Sequence, residues 1–551
     1  MAVFATAVGA LPAGAADLPA ADGTLDASFG SHIGSGTFAD PNHNFVTSTA
    51  LDGDGNLLVG GRFGGLNGIA SPKVARLSPQ GVVDQSFGAN VNSGGMNGQP
   101  GQVRPLADGG VIVTGQLQQW GSTPVDYLAR LNHDGTFDSG FSSAQLRSGR
   151  PFNNVTYSVA QQSDGAIIVG GSFTKAGVAS GGLARLSPTG APDTVYASNI
   201  GAGPTGMSFP SVDDIAVLPD GSALVGGRFT AFSGVPAGAF AKVSAQGQID
   251  STFATRLGSG FDGEVTVVRP LSNGKIAVGG DFTTFNGSPA PHFAILDSDG
   301  TLDAATMSTV GAGFNGTVET IAELPDGSLL VGGDATSYDG ITSGRLAHLS
   351  PAGVLDHTFS ANAGTNFNDT VASVTVQSIN DIYVGGFFSN YGKSAAPRLA
   401  EITGNTVEFP KLPTAVGTVG KHMSLAIAAT NAKGYPLTYT ATGLPQGLTI
   451  DPSGGTISGV PATAGTAQVS ITATDPNGES ATAPLDWVAN EPTTAPSPDR
   501  TQPPTHNPRA KSGLLADTGS EFSPAPVVAA VALLAAGVLL GFTHRKHIGK
   551  A

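Results

Sequence analysis

The chain has 551 residues, no cysteine, 79 glycines, 37 prolines, 12% charged residues and a net charge of −15. The missing cysteines exclude a disulfide framework, thiolate zinc sites, Fe–S clusters and a cysteine nucleophile, and the acidic balance excludes the basic footprint of a nucleic-acid binder. An apolar fraction of 40% argues against wholesale disorder, and abundant glycine without a triplet period points to a turn-rich all-β protein.

Residues 1–16 (MAVFATAVGALPAGAA) form an apolar, small-residue stretch that ends just before Asp17. It reads as a partial signal peptide, an apolar core with an A-x-A-type cleavage site between Ala16 and Asp17, although the basic leading segment is missing. A plain apolar tail is the competing reading.

Residues 22–405 are a repeat array. A glycine pair after a β-rich run recurs at Gly60-Gly61, Gly170-Gly171, Gly226-Gly227, Gly279-Gly280, Gly332-Gly333 and Gly385-Gly386, with Thr114-Gly115 in the second slot. The steps between second glycines are 54, 56, 56, 53, 53 and 53 residues. The fourth copy reads VDDIAVLPDGSALVGGRF over 212–229, and the sixth reads VETIAELPDGSLLVGGD over 318–334. Each copy is expected to hold four short strands: one before the Asp-Gly turn, one ending in the glycine pair, an LARL-like third and a fourth in G-x-L-D-x-x-F. Four-stranded units repeated seven times near a fifty-residue period fit a β-propeller. The seventh copy stops at Gly404 without its fourth strand, and a matching piece, 22–29, stands alone before the first copy. An N-terminal strand lent to the last unit would close a seven-bladed ring and leave no open sheet edge. The array resembles the delta-60 repeat family, which implies a propeller-like fold and names no ligand.

Most carboxylates in the array occupy repeat slots. Asp164, Asp220 and Asp326 sit in hairpin turns, and Asp84, Asp138, Asp250, Asp303 and Asp356 precede the last aromatic of a copy, as turn-forming and capping residues do. The series Trp120, Phe232, Phe285, Tyr338 and Tyr391 also fills one slot and reads as packing. Asp52, Asp54 and Asn56 alternate like the opening of a calcium loop, but Leu57 and Phe63 stand where an EF-hand needs Gly and Glu, which leaves an oxygen-rich turn. Residues 386–394 have the wrong spacing for a phosphate loop, and no metal or cofactor is expected.

Residues 406–487 lose the period and show short alternating strands between Pro/Gly turns, as a β-sandwich does. The segment is similar to the immunoglobulin-like (cadherin-type) modules of bacterial surface proteins. Its carboxylates Asp451, Asp475 and Glu479 form no cluster that would mark calcium. Residues 488–514, rich in Pro and Thr, read as an extended stalk reaching at most about 80 Å.

Residues 515–551 begin with Leu515, Ala516, Asp517, Thr518 and Gly519, continue through an uncharged apolar run over 522–542 and end in a basic tail. Its densest part, 527–542, would span about 24 Å as helix, so a bilayer crossing needs its flanks. The order of motif, span and tail resembles a sortase cell-wall sorting signal of the LAxTG type. The resemblance implies that a sortase cysteine attacks the Thr518 carbonyl and breaks the Thr518–Gly519 bond, and that peptidoglycan takes over the threonine. The membrane would then hold the chain only before sorting. The first functional expectation is a secreted, wall-anchored binding or adhesion protein whose extracellular ligand is a glycan or a host protein. The second is a carbohydrate-active surface enzyme, for which the carboxylates off the repeat pattern are Asp213, Asp214, Asp262, Glu264, Asp281, Glu319 and Asp334.

Overall fold

A computed structural model describes residues 23–33, 44–141, 152–357, 359–360, 367–378, 381–403, 407–410, 412–431, 436–474 and 480–492. The leader with Ala16 and Asp17, the loop 142–151, the pair Asp475 and Glu479, and the motif Leu515, Ala516, Asp517, Thr518 and Gly519 with its apolar run lie outside the described residues. Among the described residues no helix is long and apolar enough to cross a membrane.

The described chain is all-β apart from short helices, and one repeat shows how the sequence builds it. Ser211–Val217 pairs antiparallel with Ala223–Arg228 across a turn in which Gly221 adopts φ 79° and the Asp220 carboxylate accepts the Ser222 N–H at 2.9 Å. Such a turn needs a residue that tolerates positive φ, and Asp-Gly supplies it. Ala223–Arg228 then pairs with Phe240–Val243. The expected fourth strand is reduced to a single bridge, Val243 to Ile249. Asp250 ends it, because its carboxylate accepts the N–H groups of Thr252 and Phe253, both at 3.0 Å, and starts the helix Ser251–Leu257. The G-x-L-D-x-x-F segment is therefore a one-residue bridge followed by a capped helix, a correction to the sequence reading. Asp84, Asp193 and Asp303 cap helices in the same way.

Among the described residues this three-strand antiparallel unit occurs seven times, from Phe45–Leu51, Leu57–Arg62 and Val74–Leu77 to Val371–Ser378, Asp381–Gly386 and Leu399–Thr403. The second and third are joined by one pairing, Gly115 with Thr156. The glycine pairs set how closely units approach. A Cβ on Gly226 would lie 2.5 Å from the Val265 side chain of the next unit, one on Gly279 2.4 Å from Val318, and one on Gly332 2.6 Å from Val371. The last pair returns to the first unit, where a Cβ on Gly385 would lie 2.5 Å from Val46. Side chains on the innermost strands tie neighbours together: Val103 N–H donates to Ser48 Oγ at 3.2 Å, Val159 N–H to Gln102 Oε1 at 2.9 Å, Val268 N–H to Asp214 Oδ2 at 2.9 Å, Val374 N–H to Thr320 Oγ1 at 3.2 Å and Thr49 N–H to Ser373 Oγ at 2.9 Å.

The N-terminal segment adds to the last unit. Thr24–Leu25 pairs antiparallel with Leu399–Thr403, and Asp26 N–H donates to the Glu401 carbonyl at 2.8 Å. The Tyr391 hydroxyl donates to the Gly23 carbonyl. Phe29, 1% exposed, packs on Tyr383 of the last unit with ring centroids 5.6 Å apart, and its ring edge lies 2.7 Å from where a Cβ on Gly81 of the first would sit.

Residues 407–490 carry a four-strand sheet in which Ala415–Thr418 runs parallel to Ser480–Asn490, and a three-strand sheet around Thr456–Gly459. Ile457, Ile471, Leu485 and Trp487 are buried together between them. The last strand runs to Asn490, three residues beyond the boundary expected from composition, because Trp487 and Ala489 still face this core.

Two predictions follow from these contacts. Phe29→Ala removes a buried ring between the first and last units and should lower stability by about 3–5 kcal/mol in urea denaturation, whereas Val82→Ala at an exposed position should change it by less than about 0.5 kcal/mol. At the caps of Asp84 and Asp193, burial acts to raise each carboxyl, but the backbone donors and Arg76 or Arg185 overcome it and leave both below the usual range. Carboxyls depressed in the fold contribute stability above their unfolded pKa near about 4, and that contribution is lost as pH falls through the folded values. Urea midpoints should therefore drop below about pH 4, and less steeply in Asp193→Asn.

Candidate functional site

The innermost strand of each unit carries a one-residue irregularity opposite its glycine pair. A Cβ on Gly227 would lie 2.2 Å from the Ser211 carbonyl oxygen and one on Gly280 2.1 Å from that of Glu264, and immediately after those carbonyls the register slips, between Val212 and Asp214 and between Val265 and Val267. The same slip occurs at Val46/Ser48, Thr156/Ser158, Val318/Thr320 and Val371/Ser373. A bulge leaves its extra residue unpaired and re-aims its side chain. The extra residues in these six units are Thr47, Tyr157, Asp213, Thr266, Glu319 and Ala372, and all six line one cavity of about 530 Å³ bounded by the innermost strands of all seven units; the second unit slips between Pro100 and Val103, opposite Thr114-Gly115.

Two of these residues are carboxylic acids, and they do not stand alone. Asp213 hydrogen-bonds Glu264, which lies at the start of the next innermost strand. Burial first, then the charge of Glu264, pushes the Asp213 carboxyl up to about 8, so at neutral pH it holds a proton. Glu319 is raised as well, by enclosure first and then by Asp334, Glu264 and Asp281. Asp213 and Glu319 thus line one cavity, with Glu264, Asp281 and Asp334 within electrostatic reach of Glu319. Three residues further along the innermost strands, about 10 Å deeper, Arg104 and Arg269 line the wall. Their Nε–H groups donate to the Val159 and Ile321 carbonyls at 3.4 and 3.0 Å. Arg104 is lowered by burial first and by Arg269 second, with Asp214 opposing.

Of the seven carboxylates set apart in the sequence, Asp213, Asp214 and Glu319 line the cavity, and Glu264, Asp281 and Asp334 act on Glu319 through their charge. Asp214 and Asp262 serve the framework. Asp214 accepts the Val268 N–H and the Ser158 hydroxyl, at 2.9 and 3.3 Å, and so links three units. Asp262 accepts from the backbone of Thr283 and Thr284, both at 2.8 Å, and from the Thr283 hydroxyl at 2.7 Å. It sits at about 2, because these donors outweigh a burial that alone would raise it. Asn153, Asn315 and Asn368 do the same in their units, so Asp262 fills a repeat slot after all. Asp213 and Glu264 touch, whereas the two carboxyls of a glycoside hydrolase stand about 5 Å or more apart.

The remaining candidates are structural. Trp120, Phe232, Phe285, Tyr338 and Tyr391 are all buried. Asp52 Oδ1 accepts the N–H groups of Asp54 and Asn56 at 3.0 and 2.8 Å, as in an oxygen-rich turn. His133 of the next unit stands 2.9 Å from Asp54, and the ligand atoms of Asp52, Asp54 and His133 lie within 4.8 Å of one another. An Arg76 Nη lies 3.9 Å from Asp52. The His133 neighbour could not be seen in sequence, being 79 residues away from Asp54. Asp451 accepts the Ser453 N–H within its own turn.

Comparison with known proteins finds two families in the chain. Residues 53–87, 106–141, 162–194, 218–253, 271–305 and 324–359 match the model described as "Domain of unknown function (DUF5122) beta-propeller". Residues 405–490 match "Putative Ig domain". The chain thus carries six recognised propeller repeats followed by an immunoglobulin-type domain. Over 184 residues it is 27% identical to the "Serine-rich adhesin for platelets" of Staphylococcus aureus (strain N315), an alignment covering 33% of this chain and 7% of that protein. The chain therefore spans a small fraction of the curated relatives it matches. Among solved structures it is similar to the extracellular domain of a "putative one component system" of B. thetaiotaomicron, at 11% identity and TM-score 0.41, covering 81% of this chain and 56% of that one. The extracellular domain of a "putative hybrid two component system" from the same organism gives 12% identity and TM-score 0.37, with the same coverage of each chain.

The carboxyl cluster has a consequence for stability. A carboxyl raised in the fold favours the protonated state, so its contribution is lost as pH climbs from the unfolded value near about 4 to its folded value, about 8 for Asp213. Asp213→Asn should be more stable than the parent at pH 8 and nearly equal to it at pH 4, as read by urea denaturation at both values.

Proposed function

We propose that the chain is an exported, wall-anchored surface protein whose repeat head binds an extracellular ligand at the carboxyl-lined end of its central cavity. The observation that carries the binding reading is the concentration of pattern-breaking side chains at the bulged positions. Slots that serve the framework hold the same residue type in most units, whereas the bulged slot holds Thr, Tyr, Asp, Thr, Glu and Ala. A position that the fold does not dictate is free to be chosen for a ligand.

The head is read as a seven-bladed propeller closed by its N-terminal strand. Support comes from the seven equivalent units, from the Gly385–Val46 approach and the Thr49–Ser373 hydrogen bond between last and first, and from the pairing of Thr24–Leu25 with Leu399–Thr403. The seventh copy is split between the two ends of the array, which accounts for six matched segments. The module at 407–490 then acts as a spacer before the stalk. Display outside the cell is supported by the leader 1–16 and by the order of LADTG, apolar run and basic tail, and the adhesin likeness points the same way.

Anchoring is tested on peptidoglycan fragments released from cells that make the protein. Mass spectrometry should find a peptide ending at Thr518 joined to cross-bridge material, and this species should vanish when 515–519 is deleted. Recovery of the protein only from cytosol or membrane would remove the anchoring step.

A further inference from the structure

Beside the carboxyl-lined end lies a second cavity, of about 460 Å³, between the third and fourth units. Tyr157 lines both cavities, so the two adjoin at one side chain. The opposite wall comes from Pro204, Phe209 and Pro210, and Asn154 and Thr174 supply amide and hydroxyl groups at its edge. Two features of this wall are unexplained by folding. Phe209 is 86% exposed, and it adopts φ 56° although it is not glycine. Such backbone is strained and persists where surrounding structure imposes it, often at ligand sites.

Phe209 belongs to a segment that is longer than its counterpart in the neighbouring fifth unit. In the fifth unit Phe261 is followed by the innermost strand after only two residues, whereas in the fourth the equivalent Pro204 is separated from Ser211 by six. The longer loop is pinned at both ends, by the pairing of Pro204–Thr205 with Ala231–Phe232 and by the strand that begins at Ser211. Tyr157 breaks the pattern too, as the aromatic residue among the bulged positions, and it is 39% exposed. Among the described residues its hydroxyl has no hydrogen-bond partner. Two solvent-facing rings in one pocket, neither needed by the core, offer flat apolar surfaces rimmed by hydrogen-bonding groups.

We infer that this pocket is a saccharide-binding site, in which sugar rings stack on Tyr157 and Phe209 while their hydroxyl groups bond to Asn154, Thr174 and Asp213 of the adjoining cavity. A sugar has the matching amphipathic form, with a C–H face for an aromatic ring and a periphery of hydroxyls. Charge narrows the class. Asp213, Asp214 and Glu319 line the neighbouring cavity, Glu264, Asp281 and Asp334 act on Glu319 through their charge, Arg104 and Arg269 stand about 10 Å deeper, and the chain as a whole carries −15, so neutral and amino sugars fit and sialylated or uronic-acid sugars are disfavoured. The inference rests on the binding-module reading and gives that module's ligand a chemical class.

The test uses the intact protein on immobilised oligosaccharides: N-acetylglucosamine trimers, galactose-terminated chains, glucosamine oligomers and, as acidic probes, sialylated chains. The neutral and amino sugars should be retained and the sialylated chains should not. Phe209→Ala and Tyr157→Ala should each weaken binding at least about tenfold, while Tyr157→Phe, which keeps the ring, should stay within about threefold of the parent. Because both side chains are exposed, the melting temperatures of these variants should match the parent, so a loss of binding reports on the pocket. Retention of no saccharide, equal retention of sialylated chains, or indifference to both alanine variants would overturn the inference. Adhesion of the intact protein to cell or matrix surfaces that persists in Phe209→Ala would overturn it too, while leaving the binding-module reading standing.

Discussion

Everything in the head depends on how closely successive sheets approach, and that distance is set by hydrogen atoms where side chains would otherwise be. The first glycine of each pair faces a valine of the following unit, at separations near 2.5 Å from an added Cβ, which no real side chain tolerates. The valine is repeated because the gap it fills is repeated: Val212 faces Gly170, Val265 faces Gly226, Val318 faces Gly279, Val371 faces Gly332 and Val46 faces Gly385. A Gly–Val contact is specific in both partners, since a larger residue in place of glycine clashes and a smaller one in place of valine leaves a void. The period of the sequence is thus the period of one packing contact.

The second glycine has a different effect, and it links framework to function. Its lack of a side chain lets it sit against the carbonyl before the bulge, and the bulge forces one residue per unit out of the ladder and toward the central cavity. The fold therefore generates a ring of unconstrained positions as a by-product of tight packing. Where such a position holds threonine or alanine nothing unusual follows. Where the neighbouring units place Asp213 near Glu264, burial and then the charge of Glu264 raise the Asp213 carboxyl, which costs stability as pH rises. The framework gains nothing from that arrangement.

Much of this was legible in the sequence, for identifiable reasons. The glycine pairs, the Asp-Gly turns and the aromatic slot recur, and recurrence reveals a position's role without coordinates. The split seventh copy was legible because the missing 22–29 piece has the wording of the others. What misled the reading was local. The G-x-L-D-x-x-F segment alternates like a strand, but its aspartate captures two backbone N–H groups and turns the chain into a helix. Asp262 passed for a pattern-breaker because its slot holds asparagine elsewhere, and the two residues perform the same hydrogen bonding through different letters. The extra residue of a bulge leaves no mark in sequence at all, since it is defined by the strand it opposes. For the same reason Tyr157 went unnoticed: only the register slip shows that it leaves the sheet.

The two kinds of irregularity in the head differ in origin, and the difference bears on how such a site arises. The bulges come with every unit, so a carboxylate or tyrosine there needs one substitution and no change of backbone. The loop of Phe209 carries a backbone conformation that asparagine or glycine would adopt more readily. A strained phenylalanine, exposed to solvent, is a poor outcome for folding by either measure. Its neighbours are a bulged tyrosine on one side and, three residues after Pro210, the buried Asp213 on the other. A regular framework that leaves its irregularities adjacent to one another has concentrated in one place the residues it does not itself require.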